Sequence, residues 1–150
     1  MRNDKGQFWV LVQIALLFVL LVMGLWFPNT LRVLPWLSTL GIALLILGIV
    51  LLAISGLNLG SNLTAVPKPI DDGKLVQSGL YRFVRHPIYF SVLLTSLGWS
   101  LWRLSWPALL ITVILYLFFD RKAAREEIWL REKYPDYDAY AKRVKKLMPL

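Results

Sequence analysis

The sequence predicts an all-α fold: a polytopic bundle of about four transmembrane helices with a helical extension on the cytoplasmic side. Three observations lead there. The 150 residues are 57% hydrophobic with a mean hydropathy of +0.58, whereas a soluble domain is about half apolar. The apolar residues are gathered into four blocks separated by polar or turn-forming segments. No strand–helix alternation and no G-x-G-x-x-G turn occurs, so a Rossmann architecture is not expected.

The first block, Phe8 to Phe27, reaches about 30 Å at 1.5 Å per residue, the thickness of a hydrocarbon core. Trp9 and Trp26 mark its two interfaces. It is longer than a signal-peptide core, and Pro28-Asn29-Thr30 offers no small-x-small cleavage site, so a retained anchor is expected. The second block, Trp36 to Leu57, is also long enough to span, and Gly41, Gly48, Ser55 and Gly56 would admit a close neighbouring helix. Residues 1–57 thus hold two N-terminal transmembrane helices. Pro67, Pro69, Asp71, Asp72 and Gly73 then mark a polar connection that cannot lie in lipid.

The third block starts at Pro87, a favourable first helical residue, and ends near Trp102. Arg103 to Trp106 is read as a tight turn among Trp99, Trp102 and Trp106. The fourth block, Pro107 to Phe119, runs without a breaker into Asp120-Arg121-Lys122-Ala123-Ala124-Arg125-Glu126-Glu127. These are good helix formers, so the last helix is expected to continue into the cytosol. The whole chain, 1–150, reads as a single integral membrane domain.

Charge sets the expected orientation. With four spans, the N-terminus, the 58–85 loop and the C-terminal tail share a side and hold fifteen of the 17 Lys and Arg; Arg32 and Arg103 fall opposite. The positive-inside rule puts both termini and the polar loop in the cytoplasm, and the expected site is the inner or plasma membrane. The formal charge of +8 is explained by this face and by anionic lipid heads, without a nucleic-acid partner. There is no cysteine, and His86 is the only histidine. Disulfides, thiolate nucleophiles and multi-histidine metal sites are therefore excluded, and no metal is expected.

Candidate chemistry is confined to the cytoplasmic edge, in residues 73–89 and around Arg125-Glu126-Glu127. From the turn near Leu104 back to His86 is about 27 Å along a helix, and from Ser105 forward to Glu126 about 32 Å. An antiparallel hairpin would bring the imidazole, Tyr89 and two carboxylates to one height. Each feature has a plainer account. Arg85-His86-Pro87 can be a basic anchor before a helix start. Glu126-Glu127 can be a solvated face, with Glu127 paired to Arg131 at i,i+4. Tyr134, Tyr137, Tyr140, Val144 and Leu147 can form one apolar stripe of an interfacial helix whose Lys142, Arg143, Lys145 and Lys146 touch lipid phosphates.

The run SGLYRFVRHPIY, the Glu-Glu pair after the next hydrophobic hairpin, and the Tyr-x-x-Tyr…Val…Pro tail together resemble the isoprenylcysteine carboxyl methyltransferase family, which is related to the membrane phospholipid methyltransferases. The resemblance covers Gly73 to Pro149, within the 73–150 segment read as the methyltransferase-like core. Two departures stand out. Ser91 replaces a common glycine two residues after the RHPxY tyrosine, and about four spans are fewer than such enzymes usually carry. The second bears on the acceptor more than on the cofactor.

The resemblance implies an enzyme that binds S-adenosyl-L-methionine (AdoMet) through Lys74, Leu75, Val76, Tyr81, His86, Pro87, Ile88, Tyr89 and Glu126. It also implies a small lipophilic acceptor entering from the bilayer. If the acceptor is a carboxylate, Lys122 and Arg125 are candidates to hold it. If it is an amine or thiol, a proton must leave, and His86 or Glu127 is the candidate base. The alternatives are an NADPH-dependent reductase related to sterol reductases, with Arg82 and Arg85 on the extra phosphate, and a non-enzymatic membrane adaptor.

Overall fold

Pro87 and Ser105 set the helical hairpin on which the rest of the chain is arranged. The computed structural model describes residues 6–28, 35–64, 66 and 68–148. Arg2, Lys5, Asn29, Thr30, Arg32, Pro67 and Pro149, which enter the sequence reading, lie outside the described residues.

Among the described residues five α-helices form: α1 (Gln7–Trp26), α2 (Pro35–Leu59), α3 (Pro87–Trp102), α4 (Trp106–Lys133) and α5 (Tyr137–Arg143). Short 3-10 turns occupy Gly60–Asn62 and Gly79–Arg82. Pro87 is the first residue of α3, where its missing N–H costs nothing. Ser105 caps α4: its Oγ accepts from Ala108 N at 3.4 Å, and its hydroxyl donates to Met23 O at 3.0 Å, tying the hairpin turn to the end of α1. No breaker follows Phe119, so α4 continues unbroken for 28 residues, about 42 Å.

α1 and α2 are long and apolar enough to cross a bilayer. Neither behaves as a soluble core helix, because few residues of each are buried and large apolar side chains stand exposed: Phe8, Leu11, Phe18 and Trp26 on α1, and Trp36, Ile46 and Leu57 on α2. α3, with 16 residues, reaches about 24 Å, and its Ser91, Ser96 and Ser100 are buried and return their hydroxyls to carbonyls one turn back.

The helices associate in two pairs. α2 lies on α3 at backbone distance: a Cβ at Gly41 would meet Leu101, Trp102 and Gly98, and one at Gly98 would meet Leu45 and Gly41. α1 lies on α4 through larger side chains, including Trp9 on Phe118 with ring centroids 5.6 Å apart. The core runs between them through Leu20, Leu93, Ala108, Leu115, Phe119 and Ala123, and is closed at one end by Leu147.

The tail departs from the interfacial helix expected over 134–147. α5 stops at Arg143, and the chain then extends so that Lys145 bridges Val84. Arg85 N donates to Lys145 O at 2.8 Å and His86 N to Lys146 O at 3.1 Å. Backbone pairing with the approach to α3 has outweighed helical periodicity. Tyr137, Tyr140 and Leu147 are buried in protein rather than laid on lipid, and Lys146 pairs with Asp120 at 2.7 Å.

Candidate active site

The hairpin brings the start of α3 and the extension of α4 together, as the length arithmetic requires. Tyr89 Oη donates to Glu126 Oε2 at 2.6 Å, and His86 Nδ1 lies 3.7 Å from the same carboxylate. His86 and Tyr89 are stacked with centroids 5.4 Å apart, and Tyr89 stacks in turn on Phe119 at 4.8 Å. The rotamers of both ring side chains are therefore held by packing.

Above this cluster is a cavity of about 250 Å³. Its walls come from Gln13 of α1, Leu59 at the end of α2, the 62–76 loop, the 81–89 segment, and Lys122, Glu126, Leu130, Tyr134, Tyr137 and Tyr140. The loop is fastened by two asparagines: Asn62 Oδ1 accepts from Lys74 N at 3.0 Å, and Asn58 Oδ1 accepts from Leu80 N at 2.9 Å. Gly79 sits beside Asn58 at φ 59°, a left-handed conformation with no room for a Cβ. Lys133 Nζ donates to Ile70 O and, at 2.9 Å, to Asp71 O, pinning the loop to the end of α4.

Of the residues expected to hold cofactor, Lys74, Leu75, Val76, Tyr81, His86, Ile88, Tyr89 and Glu126 all line this cavity. Pro87 does not. It is buried as the first residue of α3, and its carbonyl accepts from Ser91 Oγ at 2.7 Å. Lys122 lines the cavity, but Arg125 does not: it is exposed, with its guanidinium 4.9 Å from the Trp129 ring centroid. One residue before Glu126, it points about 100° around the helix from it.

Glu127 is neither a solvated face residue nor a cavity residue. It is 5% exposed and accepts from Arg85 Nε at 2.9 Å and meets His86 Nε2 at 3.1 Å, with the i,i+4 Arg131 contact at 3.5 Å a third partner. Burial alone would raise its pKa, but the hydrogen bonds and charges of His86 and Arg85 win and hold it down to about 2. A carboxylate so committed positions His86 and is a poor proton acceptor near neutrality. Arg85 also donates to Ala141 O at 2.7 Å and Val144 O at 2.6 Å. It thereby fastens α5 and the tail behind the site through Nη1, while Nε holds Glu127.

The tail's tyrosines complete the wall. Tyr140 Oη donates to Tyr81 O at 2.5 Å. Burial pushes its phenol up to about 12 and also raises those of Tyr81 and Tyr137, so all three remain donors at neutral pH. Among the described residues the Tyr137 hydroxyl is buried without a partner, an exception among buried polar groups. Sequence reasoning assigned no site role to Gln13, Asn58, Asn62 or Tyr137. The available signal was polarity out of place, since Gln13 is the one amide between Phe8 and Trp26.

A phospholipid methyltransferase family model matches residues 36–137, from α2 through the start of α5. The chain belongs to that family. It is 31% identical over 119 residues to protein-S-isoprenylcysteine O-methyltransferase B of Arabidopsis thaliana, covering 76% of this chain and 60% of the relative. A probable protein-S-isoprenylcysteine O-methyltransferase of Oryza sativa subsp. indica is 28% identical over 116 residues, covering 75% and 61%. The chain thus spans about 60% of the length of these curated relatives. A solved structure of the eukaryotic intramembrane Ras methyltransferase, isoprenylcysteine carboxyl methyltransferase, matches with a TM-score of 0.74 at 23% identity, over 100% of this chain and 54% of that one. The two share a fold. With its lipid-compatible exposed helices, this family member is an integral membrane protein.

Proposed function

We propose that the chain is a membrane methyltransferase that moves the methyl group of AdoMet to a small lipophilic acceptor, in the manner of the isoprenylcysteine carboxyl methyltransferases. The observation that carries the reading is the Tyr89–Glu126–His86 cluster at the floor of a cavity roofed by the 62–76 loop.

The donor set suits this cofactor. Glu126 offers a carboxylate to a ribose diol or an ammonium group, and Lys68 and Lys74 at the wall offer cations to a carboxylate. Leu75, Val76, Ile88, Leu130 and Tyr134 supply the apolar surface a purine needs. When bound, the cofactor supplies an electrophilic methyl on a sulfonium that departs as a neutral thioether. The chain's own work is then alignment and exclusion of water. Tyr89 fixes the Glu126 carboxylate, Glu127 fixes the His86 ring, and the loop and tail close the site from the aqueous side. Lys122 is placed to orient an anionic acceptor head, which needs no base. For an amine or thiol, His86 is the group in the wall able to take a proton.

The same reading has α3 and the apolar part of α4 completing a four-span bundle, with both termini and the cavity at the cytoplasmic face. The fifteen basic residues on that side support it. Calorimetric titration of the purified protein with AdoMet and with NADPH tests the cofactor, and labelled-methyl transfer to prenyl-cysteine, lipid-amine and alkyl-thiol acceptors tests the reaction. AdoMet binding with transfer to a lipophilic acceptor is expected; binding of NADPH instead overturns the reading. The chain has no cysteine of its own, so single introduced cysteines report sidedness cleanly. A C-terminal cysteine labelled only from outside the cell would refute the orientation.

A further inference from the structure

Lys122 is 3% exposed, and an ammonium so far out of water needs compensation. Its neighbours give little charge back. Nζ donates to Gln13 Oε1 at 2.5 Å and lies 5.0 Å from the Tyr89 ring centroid. No Asp or Glu oxygen among the described residues lies within 4.0 Å of it. The carboxylates nearby on α4 are engaged elsewhere: Asp120 by Lys146, Glu126 by Tyr89, and Glu127 by Arg85 and His86. Burial lowers the Lys122 pKa, and Glu126, one turn along, opposes this only at longer range. An ammonium has three donors, and Gln13 takes one.

We propose that Gln13 is the acceptor-specificity residue of this site: its neutral amide holds Lys122 at the cavity wall without cancelling the charge, so that an acceptor bringing a carboxylate is preferred. This rests on the methyltransferase reading and narrows its acceptor class. Both side chains line the cavity, one from α1 and one from α4. Gln13 lies outside residues 36–137, the span that the family model matches. The acceptor preference therefore depends on a side chain of α1, a helix that the family model does not include although the structural match over 100% of the chain does. A glutamate at position 13 would form an internal ion pair and remove the reason for an anionic guest, while a leucine would remove the tether and keep the charge.

The test compares wild type, Gln13→Glu, Gln13→Leu and Lys122→Gln in detergent, with a farnesylthioacetate and the matching farnesyl amine as probes. Direct binding of each probe is measured by calorimetry, alongside AdoMet affinity and methyl transfer to each acceptor class. Gln13→Glu and Lys122→Gln are expected to weaken thioacetate binding by roughly ten- to a hundred-fold, the loss of one charge-assisted contact. Amine binding and AdoMet affinity should change by less than about threefold, and Gln13→Leu should keep a preference for the thioacetate. Equal losses for both probes in Gln13→Glu, or no loss for either, overturn the proposal, since a purely structural tether between α1 and α4 does not distinguish the heads. If wild type binds the thioacetate with this pattern but neither binds AdoMet nor transfers methyl, the specificity role stands and the methyltransferase reading falls.

Discussion

The two helix pairs of this bundle are built differently, and the difference explains where the site is. α2 meets α3 through glycines, with main chain against main chain. Close approach of this kind gains dispersion along the whole interface and leaves no space between the helices. α1 meets α4 through side chains: Trp9 on Phe118, Gln13 on Lys122, and Arg103 Nε, from the turn before α4, donating to Gly24 O at 3.0 Å. Polar atoms and a cavity wall sit in that second interface. One pair is a fixed frame, and the other is a wall whose side chains can be tuned.

Substituting matched glycines is the harshest way to break this comparison. A side chain at Gly98 must displace the Leu45 and Gly41 backbone, whereas one at Gly24 of α1 meets the side chain of Trp99 on α3, whose Nε1 has no partner among the described residues. Gly98→Leu should cost more than about 3 kcal/mol and abolish a monodisperse folded species, while Gly24→Leu should cost about 1–3 kcal/mol. Thermal melts and gel filtration in detergent measure both. Equal damage would mean that the side-chain contacts of α1 yield no more easily than the backbone seam of α2 and α3.

The next effect belongs to the network behind the site. Glu127→Ala leaves Arg85 and His86 facing a buried gap and should lower stability by about 3–5 kcal/mol. The pH dependence follows from its depressed folded pKa: its stabilisation is present above the unfolded carboxylate value near 4.5 and is lost as pH falls through about 2. Wild-type and Glu127→Ala melts should therefore differ by a constant amount between pH 6 and 8 and converge only in strong acid. A difference that grows or shrinks across neutrality would show that a proton is exchanged there within the Glu127–His86 pair, and would return that pair as the candidate acid–base unit.

This network also marks what the sequence could and could not disclose. Pro87, Ser105 and the absence of a breaker after Phe119 fix the hairpin, and counting residues from its turn puts His86 and Glu126 at one height. Those are local or periodic signals, and the structure follows them. The fold-back of the tail is neither. Tyr137, Tyr140, Val144 and Leu147 have helical spacing, yet residues 144–146 pair with 84–86, a contact of long sequence separation that no local pattern announces. Of Glu127's partners, Arg131 follows from helical spacing and His86 from the hairpin, whereas the hold of Arg85 on Ala141 and Val144 belongs to the tail's fold-back. Gln13 was visible only as a lone amide in an apolar helix, and its partner lies 109 residues away.

Within the cavity the expected effects are on ligand rather than on fold. Glu126→Gln and Tyr89→Ala should each weaken AdoMet binding by roughly ten- to a hundred-fold, the range for one charge-assisted hydrogen bond. Melting without ligand should change little for Glu126→Gln, because its carboxylate is partly exposed. Calorimetry decides: unchanged affinity in both variants would move the cofactor out of this cavity, while leaving the contrast between the helix pairs untouched.

The smallest effect is the most selective, because it compares two buried phenols one helical turn apart. Tyr140 donates to Tyr81 O, joining the tail to the segment that leads into α3, whereas the Tyr137 hydroxyl has no partner among the described residues. Removing one hydroxyl of a bonded pair costs about 1 kcal/mol and somewhat more when it strands a buried carbonyl. Removing an unpartnered hydroxyl relieves a desolvation cost. Tyr140→Phe should therefore lower the ligand-free melting temperature by a few degrees, and Tyr137→Phe should leave it unchanged or raise it. With AdoMet present the order should invert, Tyr137→Phe losing more of the ligand-induced stabilisation because its hydroxyl stands in the cavity wall with a bond still to make. Should Tyr137→Phe destabilise the ligand-free protein as much as Tyr140→Phe does, the hydroxyl already has a partner within the fold, and the wall is closed at that point.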